Sequence, residues 1–276
     1  MKTKHLLVVG NSESLEEIRS RNIPIHLIVT SPPYPMIAMW DNQFAQLGAN
    51  SYEEMHESLA KVWKQCYDVL VDGGLICINI GDATRKTDGD GFRLYPNHAK
   101  ILGHFEKIGF VTLPYILWKK PTNRPNAFLG SGFLPPNAYV TLDCEYILIL
   151  RKGNLRRLGE AEKQRRRKST YTKEERDKWF SQIWDDIKGA RQIHSDIERR
   201  TAAYPEELVR RLIRMFSIKG DTVLDPFVGT GTTMKVARDL ERNSVGYEID
   251  DALGNLIVKK FEQKTLNSDF EVMRRP

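Results

Sequence analysis

The sequence predicts an α/β fold built on a doubly wound, mostly parallel sheet. Three observations lead there. Through the last third of the chain, apolar strands alternate with amphipathic helices: a helix from Pro205 to about Phe216, strand Thr222-Val223-Leu224, a helix from Gly231 to Leu240, strand Ser244 to Tyr247, and a helix from Asp251 to Phe261. Strands and helices alternate in the first third as well. Leu75 to Ile80 is a strand apolar at all but one position, as expected of a strand covered on both faces. Together these features call for a parallel sheet between helical layers.

In chain order, Leu6-Leu7-Val8-Val9 is a short strand ended by Gly10-Asn11, and Ser14 to Arg21 has helical spacing. Ile25 to Val29 is the next strand, followed by Thr30-Ser31-Pro32-Pro33-Tyr34. Pro35 to Asn50 shows no clear period and reads as a loop. Ser51 and Glu54 have the spacing of a capping box, so a helix starts there and runs to about Leu70. Asp72-Gly73-Gly74 is expected to stop it. Asn97 to Ile108 predicts a helix, Val111 to Trp118 a strand, and Glu145 to Arg151 another. Pro121 to Pro136, rich in Pro, Gly and Asn, reads as a loop. From Gly153 to about Arg200 the composition turns polar and basic, and Thr172 with Glu175 forms a second capping box. The chain therefore divides into a first half (1–152), an inserted basic region (153–200) and a second half of the same domain (201–276).

A hydrophobic content of 41% and a charged content of 28% over 276 residues fit a globular protein with a sizeable core. No run approaches the roughly 18 apolar residues of a membrane span, and the N-terminal residues lead into a strand. Neither a span nor a signal peptide is expected, and a cytoplasmic setting is. Cys66, Cys77 and Cys144 have no CxxC spacing, which argues against a disulfide framework or a zinc site, and no metal is expected. The net charge of +6 is unevenly spread. Residues 151–168 hold nine Lys and Arg against two Glu, leaving the rest of the chain at −1. Its densest part, Arg165-Arg166-Arg167-Lys168, points to a polyanion partner, with a solvated basic loop as the alternative.

Two turns carry chemistry. In Thr30 to Tyr34, the prolines lack N–H groups and fix φ, so the turn is stiff and leaves carbonyls without ladder partners. A hydroxyl, a free carbonyl and a flat ring at a strand end suit a flat substrate bearing an amino group. The alternative is a strand stop with Tyr34 capping the core. Asp225-Pro226-Phe227-Val228-Gly229-Thr230-Gly231-Thr232-Thr233 lies between a strand and a helix, where two glycines admit a ligand close to the backbone. Met234 stands where a dinucleotide fingerprint has its third glycine, and no Gly-Lys-Ser/Thr follows, so this is neither that fingerprint nor a P-loop. The next strand ends at Gly246-Tyr247-Glu248, where a carboxylate can hold ribose hydroxyls. A nucleoside with a carboxylate tail and no pyrophosphate fits, namely S-adenosylmethionine.

With these residues the chain resembles the amino-methyltransferases of DNA, in the permuted (beta) class where the catalytic motif precedes the cofactor motif, of the restriction-modification kind. Thr30 to Tyr34 matches the catalytic signature and Asp225 to Thr233 the cofactor signature, while Tyr204-Pro205-Glu206-Glu207-Leu208 is similar to the remaining cofactor-side motif. The resemblance implies the S-adenosylmethionine-dependent methyltransferase fold, with the basic insertion as target-recognition region. It implies Ser31, Pro32, Pro33 and Tyr34 as catalytic residues: Ser31 Oγ and the Pro32 carbonyl on the amino group, Tyr34 stacked on a flipped base. The implied cofactor set is Asp225, Pro226, Phe227, Gly229, Gly231, Thr232, Thr233 and Glu248, with Pro205 and with Asn11 in place of the usual Asp. Arg165 to Lys168 are expected on phosphates of double-stranded DNA. Ser31 implies cytosine N4 as acceptor, where Asp or Asn would imply adenine N6. No Pro-Cys dipeptide occurs, so no ring-carbon nucleophile is expected. The kind leaves room for a restriction endonuclease acting on the same site, and both monomer and homodimer stay open. Adenine N6 methylation and a non-enzymatic DNA-binding module are the rival readings.

Overall fold

The computed structural model describes residues 2–86, 91–120, 135–190, 193–194, 199–200, 203–262 and 268–275. The chain begins with β1 (Thr3–Val9), α1 (Glu16–Ser20), β2 (Ile25–Thr30), α2 (Asp41–Gln46), α3 (Tyr52–Val69) and β3 (Leu70–Ile80). A hairpin of β4 (Ala83–Lys86) and β5 (Phe92–Tyr95) precedes α4 (Asn97–Ile108), β6 (Phe110–Lys119) and β7 (Cys144–Lys152). Then come α5 (Glu160–Arg167), α6 (Lys173–Trp179), β8 (Ile183–Trp184) and the short pair β9 (Ile193–His194) and β10 (Arg199–Arg200). The last part alternates α7 (Glu206–Phe216), β11 (Thr222–Asp225), α8 (Thr232–Asp239), β12 (Asn243–Glu248), α9 (Asp251–Glu262) and β13 (Ser268–Arg274).

Nine strands form one sheet in the order β13-β1-β12-β11-β2-β3-β7-β6-β8. Every pairing from β13 to β3 is parallel, and β7 runs antiparallel to both its neighbours. The doubly wound, mostly parallel sheet is the expected fold. Both faces of the central strands are apolar, so each takes a helical layer. Leu27 and Val29 pack with Leu208, Val209 and Leu212 of α7 and Val236 of α8. Ile28, Ile76 and Ile78 face Leu59, Val62 and Trp63 of α3 and Ile101 and Phe105 of α4. In the centre β11 lies beside β2, with Val223 opposite Leu27 and Leu224 opposite Ile28. Residues nearly 200 positions apart thereby end at one place.

Both capping boxes form. Glu54 N donates to Ser51 Oγ (3.2 Å) and Ser51 N to Glu54 (2.9 Å), and Thr172 pairs with Glu175 in the same way. Elsewhere the structure corrects the reading. Residues 35–50 are not all loop: a 3-10 turn (Ala38–Trp40) and α2 lie there, too short to show a period and anchored by the buried Phe44. The glycines at 73–74 do not end a helix, because α3 stops at Val69 and β3 runs straight through them. Pairing with β2 skips from Leu70 to Leu75, a bulge in which Gly73 adopts φ +76°. A side chain there would strike the backbone of Arg156, 2.3 Å from its nitrogen.

Within the basic region, β8 pairs with β6 at the edge of the main sheet and Trp184 is buried. The β4–β5 hairpin, α5 and β13 were not anticipated. The expected 121–136 loop lies, up to residue 134, outside the described residues. Among the described residues, no helix is long and apolar enough to cross a membrane.

Candidate active site

A crevice of about 1300 Å³ opens beyond the carboxyl ends of β1, β2, β3, β11 and β12. Gly10 and Asn11 line it after β1, Ser31 to Tyr34 after β2, Asn79 from β3, Pro226 to Thr230 after β11, and Glu248 at the end of β12. The topology thus brings both sequence motifs to one cleft at the switch region of the sheet.

The turn after β2 is held from outside itself. Asn97, fully buried at the start of α4, donates its amide to the Pro35 carbonyl (3.0 Å) and the Gly81 carbonyl (3.0 Å). His56 of α3 lies 3.1 Å from the Asn97 side-chain oxygen, and burial lowers its pKa to about 4. At neutral pH it is therefore a neutral partner. The Pro35 and Gly81 carbonyls thus find a side-chain partner, as buried backbone acceptors must.

Tyr34 is anchored through its hydroxyl. It lies 3.1 Å from Ser31 Oγ, donates to Glu145 Oε2 (3.0 Å) and accepts from Asn79 Nδ2 (2.8 Å). Asn79 Nδ2 also donates to Glu145 (2.7 Å), and Lys120 forms an ion pair with the other Glu145 oxygen. Gly81 lies under the Tyr34 ring, where a Cβ would come within 3.1 Å of Cε2. Burial and the Glu145 charge push the Tyr34 phenol well above its usual range, so it stays protonated.

Asp225 joins the two turns. Its carboxylate accepts from Thr30 Oγ1 (2.6 Å), Thr233 Oγ1 (2.6 Å), Phe227 N (3.1 Å) and Tyr204 OH (3.2 Å). Asp225 is fully buried, and burial raises its pKa even against these donors. Asp225, expected on the cofactor, does not line the crevice itself. Its oxygens face a clasp under the crevice floor, between β2, β11 and α8. Thr233 belongs to the same clasp. Gly231, at φ +83°, packs its bare Cα against Ile257 of α9, and Pro205 is a buried helix start, so neither lines the crevice.

Asn11, Pro226, Phe227, Gly229, Thr232 and Glu248 do line it. Gly229 takes φ +54°, a conformation that suits glycine, and its N–H donates to Glu248 Oε2 (2.8 Å). The other Glu248 oxygen accepts from Asp250 N (2.9 Å). The residue is 7% exposed, and burial pushes its pKa up to about 7. Asn11 Oδ1 accepts from Glu13 N (2.9 Å).

The basic run is not at this crevice. Arg156 grips Asp221, the residue before β11, through both terminal nitrogens (2.6 and 2.9 Å) and also holds Glu162 of α5 (2.5 Å). Ser169, just past α5, accepts from Lys219 N (2.9 Å). These contacts seat α5, with Arg165, Arg166 and Arg167, and the following Lys168 at the amino ends of the strands. The sheet stands between these residues, which were expected on DNA phosphates, and the cleft. Asp221, Glu162 and His26 form the one candidate metal cluster among the described residues, and the Arg156 guanidinium already neutralises its acids.

Sequence reasoning missed Glu145, Asn79, Lys120 and Asn97 as site residues. Two of them left a signal. Asn79 interrupts the apolar run of β3, and Glu145 stands near the head of the apolar strand Tyr146 to Leu150; a polar group in a buried strand needs a partner.

Comparison with known proteins agrees with this geometry. The chain matches the profile of the DNA methylase family over residues 25–259. It is 57% identical to the type II methyltransferase M.MjaI of Methanocaldococcus jannaschii, covering 98% of this chain and 96% of that one. It is 47% identical to the type II methyltransferase M.MthZI of Methanothermobacter thermautotrophicus, covering 100% of this chain and 81% of that one. The crystal structure of TTHA0409 from Thermus thermophilus, complexed with S-adenosyl-L-methionine, superposes with a TM-score of 0.77 at 33% identity over 99% of each chain. The PvuII cytosine-N4-specific DNA methyltransferase, at 14% identity and a TM-score of 0.65, shares the fold. On the family match and these near full-length relatives, the chain belongs to the DNA methylase family.

Proposed function

We propose that this DNA methyltransferase moves a methyl group from S-adenosylmethionine to the exocyclic N4 of a cytosine flipped out of double-stranded DNA, as the modification arm of a restriction-modification system. The observation that carries the reading is the pair of acceptors, the Ser31 hydroxyl oxygen and the Pro32 carbonyl, on the proline-stiffened turn after β2. Pro32 and Pro33 have no N–H, Ser31 offers its hydroxyl oxygen and Pro32 its carbonyl, and Ser31 to Tyr34 line the crevice. A group held by two acceptors must donate twice, which an exocyclic amino group does and a ring carbon does not. The amino lone pair is ordinarily delocalised into the ring. Engaging both N–H bonds favours the pyramidal nitrogen that attacks. Pro33 keeps the turn stiff, and the Tyr34 ring offers the base a flat surface.

S-adenosylmethionine, when bound, supplies a methyl group activated on a sulfonium. The residues on the opposite wall suit it. Glu248 turns a buried carboxylate toward the cleft with one N–H on each oxygen, leaving lone pairs for two ribose hydroxyls. Asn11, Pro226, Phe227, Gly229 and Thr232 complete that wall. Pro205, Asp225, Gly231 and Thr233 act behind it by fixing the helix start and the loop. No covalent enzyme intermediate is required, and the buried thiols of Cys66 and Cys77, pushed up by burial, lie off the crevice.

Ser31 favours cytosine N4 over adenine N6 by the family correlation described above. DNA phosphates near the base then fall to groups at the carboxyl end of the sheet. Lys86 and Arg93, exposed on the β4–β5 hairpin, are the described cations that fit. The test is Ser31→Ala. Cofactor binding by calorimetry should persist while transfer falls by about 100-fold or more. Full activity of that variant would overturn the reading.

A further inference from the structure

Methylating an amino group leaves a proton to dispose of, and the hydrogen-bond directions around Tyr34 define where it can go. Glu145 is ion-paired with Lys120, and a carboxylate so paired accepts hydrogen bonds. Its contact with Tyr34 OH (3.0 Å) therefore uses the single phenolic hydrogen. Asn79 Nδ2 donates to the same phenolic oxygen (2.8 Å) and to Glu145 (2.7 Å). With its hydrogen engaged by Glu145, Tyr34 can only accept from Ser31 at 3.1 Å. Ser31 is therefore the donor in that pair, and its lone pairs are left free for the target N–H. The hydroxyl is held as an acceptor before any substrate arrives.

We propose that Ser31, Tyr34 and Glu145 form a proton relay that discharges the methylated amino group, with Glu145 as its terminal acceptor. The inference rests on the proposed role of Ser31 but applies to either exocyclic amine. As the nitrogen lone pair forms the N–C bond, the S–C bond breaks and its electron pair stays on sulfur. The nitrogen then carries a positive charge and one proton in excess. That proton passes to Ser31 Oγ, the Ser31 hydrogen passes to Tyr34, and the Tyr34 hydrogen passes to Glu145. Ser31 and Tyr34 end neutral and unchanged, while the Glu145 carboxylate becomes a carboxylic acid. Lys120, over the Trp118 ring (4.7 Å), pairs with that carboxylate.

Because Glu145 acts through Tyr34, it is a positioning and relay residue. Tyr34→Phe keeps the ring and the Glu145–Lys120 pair but cuts the relay, and Glu145→Gln keeps the shape but removes the terminal acceptor. Single-turnover methyl transfer with saturating duplex DNA should show each variant slowed about 100-fold in kcat, with cofactor KM within twofold of wild type. The double variant should be no slower than either single one, as expected for parts of one unit. Additive losses, or a raised KM at unchanged kcat, would assign these residues to packing instead. If Tyr34→Phe, with its unfolding midpoint intact, keeps kcat within twofold of wild type, the relay is wrong. Ser31→Ala serves as the control. Its inactivity alongside an active Tyr34→Phe overturns the relay alone, whereas its full activity overturns the site reading beneath it.

Discussion

Asp225→Asn separates two roles that sequence alone merges, cofactor ligand and structural clasp. The carboxylate is fully buried and accepts four hydrogen bonds, two of them at 2.6 Å. Phe227 N–H points at Oδ1 and cannot turn away, so the new amide must set its oxygen there and its NH₂ toward Thr233 and Tyr204. Those two hydroxyls then lose their acceptor. Besides each other, which they already hydrogen-bond, their remaining alternative is the Val29 carbonyl, at 3.4 Å from both. Two charge-assisted bonds at about 1.5–3 kcal/mol each are lost and one weak bond is regained, while removing a buried charge offsets part of the loss. The net destabilisation should be about 2 kcal/mol. Urea unfolding should show it as a lower midpoint at unchanged slope. In the folded protein, calorimetry should find cofactor affinity reduced less than tenfold, because no Asp225 oxygen faces the crevice. An unchanged midpoint with cofactor binding abolished would refute the clasp.

Other consequences follow from the same geometry. His5 and His56, both buried, have pKa values lowered to about 4, so between about 6.5 and 4 the unfolded chain binds more protons. Their stabilisation is complete above about pH 6.5 and is lost as pH falls toward 4, at up to about 3 kcal/mol each. Glu248, raised to about 7, opposes this between about 7 and 4.5, so the pH slope of the unfolding midpoint should flatten in His56→Gln and steepen in Glu248→Gln. If Glu248 binds the cofactor as a carboxylate, affinity should rise with pH through about 7. Calorimetry in buffers of different ionisation enthalpy would detect the released proton, and Glu248→Gln should abolish it. Replacing Arg165, Arg166, Arg167 and Lys168 by Gln should leave the salt slope of DNA binding unchanged, whereas a slope reduced by several units would return the basic run to the DNA interface.

Much of the fold was legible because its strands are short apolar runs bounded by turn residues, and α4 was read from Asn97 to Ile108 as observed. What escaped was structure that lacks a local pattern. The single buried anchor Phe44 gives α2 no period, and Gly73 reads as a helix stop although it serves the close passage of Arg156. The exposed-to-half-buried β13 adds an edge strand from an unremarkable polar sequence. Ser31, Tyr34 and Glu248, which line the crevice, could be singled out because motifs with stiff or glycine-bearing turns advertise themselves. Glu145 and Lys120 could not, because they reach Tyr34 only through antiparallel pairing of β7 with β3 and β6, a long-range contact with no sequence spacing to betray it. Arg165 to Lys168 show the converse. Charge density revealed a basic patch, but only the contacts of Arg156 and Ser169 reveal at which end of the sheet it sits.

The central claim is the identity of the methylated atom. Purified protein, duplex DNA and isotopically labelled S-adenosylmethionine should yield, after digestion to nucleosides and mass spectrometry, labelled N4-methyldeoxycytidine, and Ser31→Ala protein should yield almost none. Label in N6-methyldeoxyadenosine would contradict the choice of base, and label in 5-methyldeoxycytidine would contradict the amino-group chemistry itself.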